Sequence, residues 1–598
     1  MFNDGILEPI KYYDETLKDG FSLEAEKFFD GLVKKSGVNV DENRALSAKY
    51  REKRALADGA AAKLSKLKGV QAAIIVYAVL AIITSIYLFA KIGTVAANAV
   101  GGTLIFTAVV AIIIIFTVML KKISASKAES DELSEKADEI KARAEESIAP
   151  LNGLFESSMT IDLIRKAVPI IKIDKNFDIR RYDYMHGKYG FGENTDQSQS
   201  TIALMSGEIV GNPFVIERRL KMTMGFETYH GSRIITYTEH YTDSDGKSRT
   251  RTVSETLYAT VTKPKPFYSE STVLVYGNDA APKLVFSRKP SHAETLTDKQ
   301  AQRAVSKGAK KLRKKTLKDA SDDDPTTNYT KMGNDEFEVL FNATDRNDEV
   351  EFRLLFTVLA QRNMVALMRG KSGYGDDFYF NKRKCLNYIK SEHFQDFETD
   401  DACERYLSYD LEIERKNFVD YNCEYFRKFY FLFAPVLSIP LYQQQKPREY
   451  IYQKTFHRNV TSYEAERLAN AVGQGAFENP ASETPSILKT ELMTKAGGSD
   501  KVSVKAYSFR IERRCEEVPV FGGDGRSHLV SVYWDDYIPI SNLSVMDIKE
   551  LGYSEREFSE SKKAQAAKGR GKAWAYSHGI FARAAFKADA ELDKEFDN

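Results

Sequence analysis

Cysteine is scarce in this sequence. Cys385, Cys403, Cys423 and Cys515 are its four cysteines in 598 residues, with no CxxC and no cysteine–histidine pair at zinc-ligand spacing. That excludes a disulfide framework and fits a reducing compartment, where each thiol is expected as a small core residue rather than a reactive one. A surplus of one charge is also missing. Lys+Arg is 86 and Asp+Glu is 85, so no global field selects nucleic acid or an acidic substrate, and an anionic partner would need a local patch. No long apolar run precedes Val70, so no signal peptide is expected.

Catalytic signatures are absent as well. The histidines form no HExxH, and there is no GxSxG, Walker loop, kinase set or dinucleotide fingerprint. Asp376-Asp377 and Asp535-Asp536 are adjacent acids, which on a strand point to opposite faces and make no acid/base pair. No catalytic residue, metal ligand or cofactor is assigned. An active site would have to be assembled from distant residues.

What the sequence does have is enough material for several cores. At ~150 residues per folding unit the length corresponds to three or four units. Aromatic residues make up 12%, which separates the chain from disordered sequences.

Two long uncharged runs come first. Val70 to Ala90 (VQAAIIVYAVLAIITSIYLFA) is 21 residues and Thr103 to Leu120 (TLIFTAVVAIIIIFTVML) is 18. As helices they reach about 31 Å and 27 Å, close to a hydrocarbon core of ~30 Å. In lipid only a helix satisfies every backbone group within such a segment. The connection, 91–102, is short and small, and Gly101-Gly102 is placed to break the helix. Lys49, Arg51, Lys53, Arg54, Lys63, Lys66 and Lys68 precede the first run, and Lys121, Lys122 and Lys127 follow the second, against Lys91 alone between them. Both long ends therefore belong in the cytosol. Neither run carries an ionisable residue, which argues against an ion path.

The flanks continue the helical pattern. Leu46, Tyr50, Leu56, Ala60, Leu64 and Leu67 precede the first run, and Leu133, Ala137, Ile140, Ala144 and Ile148 follow the second. Their spacing predicts an antiparallel coiled-coil stalk ended by Pro150. Phe21 to Lys35 predicts a short amphipathic helix with Ala25, Phe28, Phe29, Leu32 and Val33 on one side.

From about Ser200 the pattern turns to β. Arg233–Tyr241 and Lys247–Val261 predict a Thr/Tyr-rich hairpin closed by Asp245-Gly246. Asp243-Ser-Asp245-Gly read as a calcium loop lacks the later ligands, so a turn is expected. Thr272–Tyr276 and Lys283–Ser287 predict two further strands. Val502–Phe521 and His528–Ile540 predict a second hairpin around Gly522-Gly523-Asp524-Gly525, which lacks the strand–loop–helix order of a phosphate loop. Phe214–Arg219 and Phe509–Arg514 share F-x-I-E-R-R ahead of each hairpin, which raises duplication of an α+β unit as a hypothesis. Tyr406–Phe433 predicts an aromatic helix running into Phe429–Tyr442. Those 14 residues, broken by Pro435 and Pro440, are too short for a third span and read as core.

One segment is strongly basic. Leu296–Lys318 holds Lys299, Arg303, Lys307, Lys310, Lys311, Arg313, Lys314, Lys315 and Lys318, opposed only by Asp298, and Asp319, Asp322, Asp323, Asp324 and Pro325 close it. It predicts a helix whose candidate site for an anionic partner is Lys307, Lys310, Lys311, Arg313, Lys314 and Lys315. A solvated linker or exposed helix between domains is the favoured reading; for the anionic partner, acidic lipid headgroups come ahead of nucleic acid, which is not expected.

Phe337–Met368 reads as a strand, a turn, then a strand or helix and a helix. Its stretch FEVLFNATDRNDEVEFRLLFT, behind a two-span anchor with coiled-coil flanks, resembles a bacterial family of unknown function that pairs a short transmembrane hairpin with a cytosolic α+β domain. The resemblance implies that layout and a bacterial source, and carries no catalytic residues.

The expected fold class is α+β: a two-helix transmembrane hairpin with a coiled-coil stalk and a large cytosolic mixed α/β region containing long antiparallel hairpins. The expected division is 1–69 (cytosolic helices and stalk arm), 70–90 (first span), 91–102 (external loop), 103–120 (second span), 121–165 (stalk arm), 166–295 (β-rich unit), 296–330 (basic helix or linker), 331–480 (aromatic α+β unit) and 481–598 (C-terminal α+β unit). The expected function is a membrane-anchored scaffold, adaptor or sensor in the bacterial cytoplasmic membrane, both termini cytosolic. Its expected partners are the lipid bilayer, anionic headgroups, and a protein partner or further copies of itself. The alternatives are a membrane-associated enzyme acting on lipid or envelope precursors and, ranked last, an oligomeric pore.

Overall fold

The computed structural model of the protein describes residues 6–89, 95–156, 158–174, 177–192, 195–242, 246–319, 329–371, 374–395, 402–446, 460–496, 499–550, 574–577 and 580–584. The fold class is α+β. The helices are α1 (Pro9–Tyr12), α2 (Lys18–Ser36), α3 (Val40–Tyr87), α4 (Val95–Ile114), α5 (Leu120–Asn152), α6 (Met159–Ala167), α7 (Ile179–Tyr189), α8 (Asp298–Asp319), α9 (Asp335–Phe341), α10 (Glu349–Leu355), α11 (Val358–Arg369), α12 (Ala402–Tyr406), α13 (Leu411–Leu437) and α14 (Ser462–Val472). The strands are β1 (Ile171–Ile173), β2 (Gln199–Ile209), β3 (Asn212–Thr242), β4 (Ser248–Gly277), β5 (Val285–Arg288), β6 (Phe378–Arg383), β7 (Leu386–Ser391), β8 (Ile487–Ala496), β9 (Ser499–Phe521), β10 (Ser527–Glu550), β11 (Trp574–Ser577) and β12 (Ile580–Ala584). They divide between two compact units. A helical unit holds Gly20–Thr160 and Thr399–Glu424, and a sheet unit holds Met1–Asp19, Ile161–Glu398 and Tyr425–Asn598.

In the helical unit α3 starts at an Asn39 cap, whose side chain accepts from the Glu42 N–H at 3.2 Å and satisfies a free end group of the helix. α5 runs antiparallel along it, with the small residues Ala57, Ala60, Ala137 and Ala144 buried. Small contact residues let two helices approach closely. The far end is pinned by Asn43. Its amide donates to Ala144 O (3.1 Å), Ser147 Oγ (3.0 Å) and Tyr409 O (3.1 Å), and its oxygen accepts from Leu411 N (3.0 Å). α5 passes through Pro150 and ends at Asn152, two residues beyond the expected stop, so the helix closes within half a turn of the bond that the proline removes. The amphipathic helix α2 sets Phe29 against Phe155 and Phe418.

The second apolar run departs from expectation. Thr103–Leu120 is not one α-helix: a π-helical turn, Ile115–Met119, separates α4 from α5. Among the described residues one helix, α3, is long and apolar enough to cross a membrane, and the apolar stretch Ala99–Val110 of α4 is shorter. Gly101 and Gly102 do not break the helix but lie within α4. Gly101 lets the helices touch: a Cβ there would meet the Phe89 ring at 3.0 Å, and Ser85 Oγ donates to its carbonyl at 2.8 Å.

The sheet unit is built on two antiparallel sheets, of order β1-β2-β3-β4-β7-β6-β5 and β11-β12-β10-β9-β8. β7 pairs with β4 (Leu274↔Ile389), so strands from both sides of the basic segment share one sheet. The expected boundary at 296–330 is therefore not a division in space. Val210 and Gly211, both at positive φ, close the β2–β3 turn, as two-residue hairpin turns require.

The first hairpin is far longer than its Thr/Tyr-rich tip. β3 and β4 stay paired from Phe214↔Tyr276 to Thr242↔Ser248, which absorbs the strand expected at Thr272–Tyr276. Residues 243–245 of its turn, with the rejected calcium-loop reading, lie outside the described residues. β2 stops pairing at Lys221, so the remainder projects as a two-stranded arm. The β9–β10 hairpin covers one face of it, with Ile235, Leu257, Ala259, Val530 and Val532 buried between the ribbons. Gly231 permits that contact, since a Cβ there would strike the Ser531 carbonyl.

The F-x-I-E-R-R copies lie inside the first strand of each hairpin rather than ahead of it. Phe214–Arg218 is buried at the base of the arm, whereas Arg510, Arg513 and Arg514 are exposed midway along β9. The two copies occupy different environments.

The strand expected at Phe337 is the helix α9. Asn334 caps it, its side chain accepting from the Phe337 N–H at 3.1 Å, and acids in the first turn suit the positive helix end. Phe286, Phe337, Phe341, Phe352, Phe356 and Phe380 pack as one aromatic cluster above the sheet. The Phe429–Tyr442 segment is core, as expected from its length, with Phe433, Leu437 and Tyr442 fully buried.

Candidate functional site: the basic face of α8

α8 forms because Leu296–Lys318 is rich in Lys, Arg and Ala and free of Pro, with Ala301, Ala309 and Leu312 spaced to bury one side. That side packs on α9, where Gly308 faces Val339 closely enough to leave no room for a Cβ. At 100° per residue the opposite arc collects Lys299, Arg303, Lys307, Lys310, Lys311, Arg313 and Lys314, all exposed. Exposed Leu317 falls inside the same arc. The one acid of the segment, Asp298, is drawn away by Arg369 at 2.5 Å. Among the described residues none of the seven cations has an ion-pair partner. They spread over ~22 Å of helix.

Five of the six expected site residues thus share one face. Lys315 does not join them. It is half-buried, donates to Thr344 O at 2.7 Å and lies 4.8 Å from the centre of the Tyr329 ring. The acidic stretch 320–328 and the Lys318 side chain lie outside the described residues.

The buried ionic groups carry no mark in the sequence, because burial and pairing are set only by the fold. Arg288 and Asp376 form a fully buried pair, with Arg288 also donating to Phe378 O at 2.6 Å and stacking on the Phe378 ring. Arg346 bridges Glu338 (2.7 Å) and Glu349 (2.8 Å). Glu466, against Lys489 at 2.5 Å and the Thr201 N–H at 2.9 Å, is pushed up to about 7 by burial. His393 is held between Asp377 (2.6 Å) and Lys428 O (3.0 Å), so neither ring nitrogen is left to act as a base or ligand. These groups fix loops and sheet edges.

Two larger clefts open in the sheet unit. One of about 630 Å³ is lined by Ile6, Leu7, Val168, Pro169, Leu359 and the ion-paired Arg362. Another of about 590 Å³ includes Asp183, His186, Ser462 and Glu491. His186 Nδ1 is tied to Phe191 O at 2.8 Å, and among the described residues no hydrogen bond joins Ser462 to His186. No nucleophile–base pair is assembled there, and among the described residues no group of three acids, histidines or cysteines could hold a metal. No protein-family model, characterised protein or solved structure matches the chain.

Proposed function

We propose that this chain is a membrane-anchored scaffold or adaptor, held by α3 and α4 as a two-span hairpin with both long ends in the cytosol. One observation carries the reading: the apolar region of these helices is inside out. Val76, Leu80, Ile83, Ile86, Phe106 and Val109 face outward, while Ala78, Ala81 and Ala108 make the contact between the helices. Only 17% of the most apolar window of α3 is buried, at a mean hydropathy of 2.2. In water such a surface is untenable; in lipid, small residues between helices and large ones outside are the expected arrangement. The π turn between α4 and α5 lets the second span include residues past Ile114. The antiparallel α3–α5 arms serve as the stalk. The resemblance of 337–357 to two-span bacterial proteins supports the same reading, with the bacterial cytoplasmic membrane as the proposed location.

Topology mapping tests this reading. A Lys91→Cys variant should react with an impermeant maleimide on intact cells, and native Cys515, exposed on β9, only after permeabilisation. Release of the chain by carbonate, or labelling of Cys515 from outside, would overturn it.

The basic face of α8 supports anionic headgroups as the partner, since clustered Lys/Arg near a membrane gain about 1 kcal/mol each from acidic lipid. With the full chain in nanodiscs, trypsin cleavage within α8 should slow at least tenfold when phosphatidylglycerol replaces phosphatidylcholine. The protection should vanish near 1 M salt, where screening acts within ~3 Å. Equal cleavage in both lipids would remove headgroups from the partners.

A further inference from the structure

We propose that the outer face of the β3–β4 arm is a self-association surface, on which a second copy of this chain packs face to face. Alternate residues share this face, ten on β3 from Met224 to Thr242 and nine on β4 from Ser248 to Pro264, and every one is exposed. None is Asp, Glu, Lys or Arg. At the chain's 29% charged content about five would be. The charges of the arm all lie on the other face. There Glu255 accepts from Gly523 N (2.7 Å), Arg233 donates to Leu529 O (2.8 Å) and Lys263 meets Glu516 (2.5 Å).

The uncharged face is a field of Thr and Ser in register. Thr228 meets Thr262 at 3.1 Å, and Thr236 pairs with Ser254 and Thr238 with Thr252. Three large residues stand out of it: Phe226 at 72% exposure, Ile234 at 70% and Tyr258 at 71%. Depletion of charge around a few aromatic and aliphatic anchors is the composition of an interface centre.

The occupant follows from self-complementarity. A two-fold contact sets one patch against itself, which like charges forbid and an uncharged patch allows. A hydroxyl both donates and accepts, so a Thr face can bond to its own copy. A face whose only ionisable side chains besides Tyr258 are His230 and His240, with no Lys or Arg, lacks the cations by which a nucleic acid or an acidic lipid is held. At the base of the arm Pro264 and Pro266 lack the N–H that a strand added along β4 would use there. The face measures ~60 Å by ~10 Å, so pairing buries about 1,200 Å² in total, the lower limit for a specific stable interface.

The test uses two differently tagged full-length copies in one cell. Wild-type copies should co-purify. Ile234→Glu with Thr256→Glu, a register pair, in both copies should reduce recovery at least tenfold. Mixing that variant with an Ile234→Lys, Thr256→Lys copy should restore it. Both sites are exposed, so thermal midpoints should fall by no more than the small cost of like charges facing across one strand pair. As a second measurement, single Thr228→Cys, Thr236→Cys, Thr252→Cys or Thr260→Cys variants should give disulfide-linked dimers on oxidation in membranes. Wild-type copies that do not co-purify, co-purification unaffected by the charges, or failure of all four cysteines to cross-link would each overturn the proposal.

Discussion

Two apolar stretches of this chain meet opposite fates. The run in α3 keeps its large residues outside and its alanines in contact. The Phe429–Tyr442 stretch buries nearly everything it has, with Phe433 against Phe214 and Phe429 and the Tyr430 hydroxyl bonded to Pro9 O at 2.9 Å. Hydrophobicity alone does not separate them. Length and size pattern do: the first run is long, aliphatic and dotted with Ala, whereas the second is short, aromatic and interrupted by Pro435 and Pro440. A core needs bulk inside, and a pair of helices in lipid needs it outside.

The comparison can be broken most severely in the buried stretch. Phe433→Ala should cost about 3–5 kcal/mol, read as a drop in the denaturation midpoint of the sheet unit. A loss below about 1 kcal/mol would mean that the aromatic packing is not what holds this segment.

A second test concerns α13, which carries a carboxylate that the apolar run of α3 lacks. Glu414 is fully buried and accepts only from Ser408 N, at 3.1 Å, among the described residues. Burial pushes it up to about 7 from an ordinary 4.5. The unfolded state therefore releases its proton first. The resulting penalty is absent below pH 4.5, grows through the interval and is complete above pH 7. Glu414→Gln should be more stable than the wild type by about 1–3 kcal/mol at pH 8 and equal to it at pH 4, by denaturant titration at both. No difference at pH 8 would refute a costly charge at this position.

The finest test inverts large and small in α3. Ala81→Leu should overpack the contact with α4 and cost about 1–3 kcal/mol, while Leu80→Ala, one residue away, should cost less than ~0.5 kcal/mol in detergent. Steric trapping or SDS unfolding would separate the two, and equal effects would erase the distinction between inside and outside.

How far this was legible follows from the same contrast. The α3 run could be read because an unbroken stretch without charge has few alternatives. The α9 helix was mistaken for a strand because FEVLF suits both periods, and the deciding signal, the Asn334 cap, stood outside the window. The arm is underestimated by a Thr/Tyr pattern that starts at Arg233, whereas β3 runs unbroken from Asn212 and pairs with β4 from Phe214 onward. The seven cations of α8 were visible as a run, but their separation from Lys315 depended on where Thr344 and Tyr329 fall in space.

One small contact near the start of the chain bears on the order of events during synthesis. Ile6 N donates to Gln443 Oε1 and Gln443 Nε2 returns a bond to Ile6 O, both at 2.8 Å. The opening residues therefore belong to the sheet unit, yet they leave the ribosome more than 430 residues before their partner. In between, the whole of α3, α4 and α5 emerges. Ile6 can dock only once Gln443 has been made, and that late docking closes a loop of 437 residues.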